Sequence, residues 1–247
     1  MAVYRTGNPA LGEDTFRGAT RTGGASMTLQ GAVNKTGISL LIMMATATVT
    51  WNMENGGLAS LLLILGLVGG LVVAMATIFK KEWSPFTTPL YAALEGLVLG
   101  AISQMYEQKF EGIVPLAVGL TMGTLGALLL AYTSRLIKVT ENFRLGLFAA
   151  TGAIGLLYLV SFVLGFFGIR IPLIHESGMV GVGFSAVVVA IAALNLVLDF
   201  DFIERGAASG APKYMEWYAA FGLLVTLVWL YLEILRLLSK LQGKDRR

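Results

Sequence analysis

Acidic side chains set inside long apolar stretches are where this sequence could do chemistry: Glu95, Asp199, Asp201, Glu216 and Glu233. Charge in hydrocarbon is costly, so an acid kept there is a candidate for an ion pathway or a proton site. Asn195 precedes Asp199 by one helical turn, which puts an amide oxygen on the same face as the carboxylate. A short polar loop then returns the chain to Glu216 at a similar depth. Two carboxylates brought together in a low-dielectric bundle cannot both ionise cheaply and titrate as a coupled pair. The same oxygens also suit Ca²⁺, which accepts carboxylate, amide and water ligands. Asp199 is the candidate metal ligand. Two or three oxygens fit a weakly held, passing ion better than a stored one.

Plainer readings compete for several of these positions. Glu233 with Arg236 (i,i+3) and Asp201 with Arg205 (i,i+4) have the spacing of ordinary intrahelical pairs. Glu216 is also an acid in a first helical turn, where the macrodipole favours it. His175 stands beside Pro172 in a short loop and reads as solvated. Asp199 and Glu95 have apolar flanks and resist such readings. Glu95, next to Gly96, is expected to face the bundle interior and to hydrogen-bond another helix or a loop group. For Glu216 there are two arrangements. It approaches Asp199 within a one-water bridge, or it pairs with Lys213 or an arginine and leaves Asp199 to neutral groups such as Asn195.

The elements that must position these residues follow from composition. The 247 residues are 56% hydrophobic and 13% charged, where a soluble domain carries about 25% charged residues. Too little polar surface remains to cover a water-soluble fold. Apolar runs fall at 36–53, 57–79, 89–106, 112–133, 145–168, 178–203 and 215–238, each near the length that crosses a ~30 Å hydrocarbon core. The expected fold is all-α: a polytopic bundle of seven transmembrane helices, because a lipid-embedded segment must satisfy its own backbone. Residues 1–31 read as a polar cytoplasmic tail, 32–240 as the membrane domain and 241–247 as a basic tail. Gly66/Gly70, Gly96/Gly100 and Gly119/Gly123 have the spacing that lets helices approach closely, and read as packing within the chain.

Charge placement sets the expected orientation. Arg5, Arg17, Arg21 and Lys35, with Lys80, Lys81, Arg135, Lys138, Arg144, Arg205 and Lys213, fall on one side, against Lys109 and Arg170 on the other. The N terminus is therefore expected in the cytoplasm. Seven crossings, the favoured reading, then put the basic C terminus outside against the same rule; the alternative is one re-entrant segment and a tail inside. The net charge of +3 is spread over segment ends rather than gathered in a basic run, so no nucleic-acid partner is expected. Enzyme chemistry lacks its parts. There is no Cys, no HExxH, a single His and no GxGD, since Gly181-Val-Gly183 is followed by Phe184. The last segment has no central Lys for a retinal Schiff base. Neither an enzyme nor a bound cofactor is expected.

Tyr91-Ala-Ala-Leu-Glu-Gly-Leu-Val-Leu-Gly100 resembles the third-helix signature of the Bax-inhibitor family, the transmembrane Bax inhibitor motif proteins. Leu198-Asp-Phe-Asp-Phe-Ile-Glu204, the following polar loop and the helix after Tyr214 are similar to that family's sixth helix, loop and seventh helix. Asn8-Pro-Ala10 and Met27-Thr-Leu-Gln-Gly-Ala-Val-Asn-Lys-Thr-Gly37 resemble a bacterial branch of it. The resemblance implies a seven-helix bundle in the cell's inner membrane and a pH-sensitive leak of Ca²⁺, with Ca²⁺ and protons as the permeant ions. It also implies a stress-response role, or modulation of a membrane-bound ATP-dependent protease. The family's pH sensor is a pair of aspartates on the sixth and seventh helices. The first corresponds to Asp199. The seventh-helix positions are Ala220 and Leu224 in this chain, which leaves Glu216 as the nearest acid.

Overall fold

A computed structural model describes residues 25–53, 56–168 and 178–245, with side chains described as far as Gly243. Among the described residues the fold is all-helical. The helices are α1 (Leu29–Trp51), α2 (Gly57–Phe79), α3 (Ser84–Glu107), α4 (Ile113–Thr133), α5 (Glu141–Phe166), α6 (Met179–Ala208) and α7 (Met215–Asp245). All seven are long and apolar enough to cross a membrane. Arg5, Arg17, Arg21, the Asn8-Pro9-Ala10 motif, Arg170, His175, Arg246 and Arg247 lie outside the described residues.

Local chemistry sets the helix ends. Thr28 is extended, and its hydroxyl accepts from the Gly31 N–H at 3.0 Å, so α1 starts at Leu29, seven positions before its apolar run. Thr140 caps α5 in the same way through the Phe143 N–H at 3.2 Å. Pro85 falls in the first turn of α3, where the missing N–H has no partner to lose. Gly112 enters α4 at φ 79°, a left-handed conformation that a side chain would strain. Helices α6 and α7 run five and seven residues beyond their apolar runs, because polar side chains continue a helix once it reaches the headgroups.

Two compact units are present among the described residues. The first holds α1, α2 and α3 with Asp201–Val225; the second holds the described parts of Phe110–Phe200 and Thr226–Arg247. In the first, α3 is the helix on which both α1 and α2 pack. Its glycines allow this. A Cβ on Gly96 would meet Thr46 and the Met43 carbonyl, and one on Gly100 would meet Thr50 and the Ala47 carbonyl. Across the same seam the Thr50 hydroxyl donates to the Leu97 carbonyl at 2.9 Å. From α2, Gly66 lies against Leu94 and Val98. Gly119 and Gly123 differ from the expectation of packing within the chain. Among the described residues no atom comes within 4 Å of where their Cβ atoms would stand.

Apolar and polar residues are inverted relative to a water-soluble fold. Leu61, Ile64 and Leu71 of α2 and Leu156, Leu159 and Phe162 of α5 are exposed, while Ser39, Asn195, Asp199, Glu216 and Glu233 are buried. With lipid outside, such a bundle is held by close packing and internal polar contacts rather than by expulsion of apolar surface from water.

Candidate functional site

In the first unit the polar centre is Glu216, which has no exposed surface. Its Oε1 accepts from the Thr28 N–H and the Thr28 hydroxyl, each at 2.9 Å, and from Lys213 Nζ at 2.6 Å. Its Oε2 pairs with Lys35. Gly31 makes room for the carboxylate, since a Cβ there would overlap it. The chain before α1 is drawn to the loop before α7 as well, by the Met27 N–H bonded to the Ala211 carbonyl at 2.6 Å. Ser84 and Thr88 of α3 donate to the carbonyls of Tyr214 and Trp217 at 2.9 and 3.0 Å. Two ammonium groups therefore meet the Glu216 charge. The pairing of Glu216 with Lys213 expected from sequence is present, and the start of α1 supplies the remaining donors. Lys35 and Thr28 were not legible as its partners.

Glu95 turns toward α2, with its Oε2 3.3 Å from where a Gly70 Cβ would stand. Its expected hydrogen bond to another helix or a loop group is not found among the described residues. Gly70 offers only helical backbone, whose N–H is already engaged within α2. Asp201 pairs with Arg205, Nε to Oδ2 at 3.0 Å, as an intrahelical pair. Ala220 and Leu224 are fully buried.

The second unit contains Asp199 and Asn195. Asp199 has no exposed surface and Asn195 is 2% exposed. The Asn195 amide donates to Thr151 Oγ1 at 2.9 Å and to the Ile191 carbonyl at 2.8 Å. Both amide hydrogens are thus spent away from Asp199, and Asn195 Oδ1 has no hydrogen-bond partner among the described residues. Among the described residues no three acids or histidines gather to hold a resident metal.

Three contacts fix the register of α5, α6 and α7 in this unit. Thr151 meets Asn195; Lys240 Nζ donates to the Gly181 carbonyl at 3.0 Å; the Tyr158 hydroxyl donates to Glu233 Oε1 at 2.9 Å. All three hold together only if α6 runs antiparallel to both neighbours, and Tyr158 and Glu233 then lie level with Val188. Arg236 completes that level, with Nη1 donating to the Tyr158 oxygen at 2.6 Å and to Glu233 Oε1 at 2.9 Å. The unit therefore carries a stack of polar levels along α6: Asp199, then Asn195 with the half-buried Thr151, then Glu233 with the half-buried Tyr158 and Arg236, then Ser185, then Gly181 with Lys240. From Asp199 to Gly181 this is about 27 Å at 1.5 Å per residue. Glu233 and Arg236 form the intrahelical pair read from sequence. Tyr158, Thr151 and Lys240 were missed, although a lone phenol in the apolar run of α5 was a signal.

Seven long apolar helices, lipid-facing apolar surfaces and ionisable groups turned inward define a multi-pass α-helical membrane protein. Within that class the sequence is specific: residues 8–243 match the pattern of the family described as Bax inhibitor 1 like. The chain belongs to that family. No individually curated protein matches it.

Proposed function

We propose that the protein is a leak pathway for Ca²⁺ and protons in the cell's inner membrane, gated near Asp199, with its N terminus in the cytoplasm. The observation that carries this reading is the stack of polar levels inside the second unit, which begins at the buried Asp199 carboxyl and the unspent Asn195 oxygen. Polar groups at this depth are expensive, and their continuity along α6 suits passage better than packing. Glu216, held by two lysines, is a structural anchor in this reading, and Asp199 is the titrating group. The test is Ca²⁺ flux from proteoliposomes at two pH values. Asp199→Asn keeps the shape but cannot titrate, so it should lower the flux and flatten its pH dependence. A mutant curve that overlays the parent's would remove Asp199 from the mechanism.

A second reading has its own observation. Ala220 and Leu224, fully buried and apolar, stand where the family's seventh-helix aspartates are expected. A chain without that half of the sensor suits a non-conducting interaction protein that modulates a membrane-bound ATP-dependent protease or a stress response. The same proteoliposomes discriminate. Absence of Ca²⁺ flux at both pH values, for the parent and for the uncharged Lys240 variants below, favours this second reading.

A further inference from the structure

Lys240 is the least expected residue of the second unit. It lies in the last turns of α7, is 5% exposed, and directs its ammonium to the carbonyl of Gly181 in the first turn of α6. Its charged neighbours on α7 are Arg236 and Glu233. The Glu233 carboxylate is already engaged by Arg236 at 2.9 and 3.1 Å and by the Tyr158 hydroxyl. Among the described residues no carboxylate comes within ion-pairing distance of Lys240. Among the described residues this buried ammonium is held by a neutral carbonyl and is offset only by the shared charge of Glu233, and a fold keeps such a group only against a cost.

Its position gives that charge a use. Gly181, Ser185, Val188, Ala192, Asn195 and Asp199 are spaced at four, three, four, three and four residues, which places them on one face of α6. From Ser185 to Asp199 this face is buried, and Ser185 Oγ, like Asn195 Oδ1, has no hydrogen-bond partner among the described residues. The face thus offers oxygens toward a cation at several depths. Asp199 stands at one end of the series and the Lys240 ammonium at the other. We infer that Lys240 is a tethered cation that closes the Gly181 end of this series. It occupies the carbonyl that a permeating ion would use and repels cations arriving behind it. Fixed positive charge excludes cations in this way in narrow membrane pores. The inference rests on the cation-pathway reading and assigns the group that throttles it.

The experiment uses the full-length protein in vesicles with a Ca²⁺-reporting dye, and compares the parent, Lys240→Met, Lys240→Gln, Lys240→Arg and the double variant Lys240→Met/Asp199→Asn. Removing the ammonium should raise the initial Ca²⁺ flux by on the order of tenfold or more, given charge repulsion at an effective dielectric of about 20. Lys240→Arg keeps the charge and should stay near the parent. The double variant should lose the gain, because the opened route still passes Asp199. Retention of a large trapped dye, together with unchanged helicity, separates this from a vesicle made leaky by misfolded protein. Two uncharged side chains are included so that a folding failure of one leaves the other to decide. Flux in both uncharged variants equal to the parent's overturns the plug; if Asp199→Asn still lowers the parent flux, the pathway stands without it. A gain that survives Asp199→Asn overturns the plug as well, since the leak then runs elsewhere.

Discussion

Glu216 and Thr28 are 188 positions apart, yet one carboxylate oxygen of the first accepts both the backbone N–H and the hydroxyl of the second. Thr28 caps α1 and Glu216 stands in the first turn of α7. One pair of side chains therefore starts one helix and holds the start of another.

Glu216→Gln should destabilise the protein by about 1.5–3 kcal/mol, the range for hydrogen bonds to a charged group. The lower half is favoured, because the Lys35 and Lys213 side chains are 19% and 49% exposed and regain water. Thermal unfolding in detergent measures this. The pH profile of any Ca²⁺ flux should keep its midpoint, since the two lysines already meet the Glu216 charge. A moved midpoint would restore Glu216 to the titrating machinery.

The glycines give a contrast within one type of substitution. Gly96→Ala and Gly100→Ala press a methyl on the backbone of α1 and should cost about 1–3 kcal/mol, as overpacking does. Gly119→Ala and Gly123→Ala meet open space and should be neutral, or stabilising by up to ~1 kcal/mol through helix propensity. Unfolding midpoints of the four variants check the order. Equal losses in both sets would mean that α4 has a contact as close as that of α3.

Tyr158→Phe removes a hydroxyl that donates to Glu233 and accepts from Arg236, and leaves their direct pairing at 2.9 and 3.1 Å in place. The expected loss is about 1–2 kcal/mol. A double-mutant cycle with Arg236→Met measures the coupling. Additive losses would show that the phenol packs without bonding.

Much of the architecture was legible in the sequence, for a physical reason. A lipid-spanning segment must be long, apolar and self-satisfied, so its run of residues is its own signal. The ends were less legible because they depend on single caps, as Thr28 and Thr140 show. Glu233 with Arg236 and Asp201 with Arg205 could be read because both members of each pair share a turn. Lys35 could not be read as a partner of Glu216, nor Tyr158 as a partner of Glu233. Those contacts depend on which helix faces which, and at what register. Periodicity along one helix does not carry that information.

The α1–α3 seam also bears on how the chain enters the membrane. The α1 span has a mean hydropathy of 1.3 and the segment containing α3 has 1.3, against 2.7 for α2. Helix α1 carries Thr36, Ser39, Thr46 and Thr50, and Thr50 finds its carbonyl partner on α3, 47 positions later. A nascent α1 leaving the ribosome is therefore held in lipid less strongly than α2, the more apolar of the two spans. Biogenesis becomes a matter of timing: α2 is the stronger early anchor, and the Thr50 hydroxyl of α1 meets its carbonyl partner only when α3 arrives.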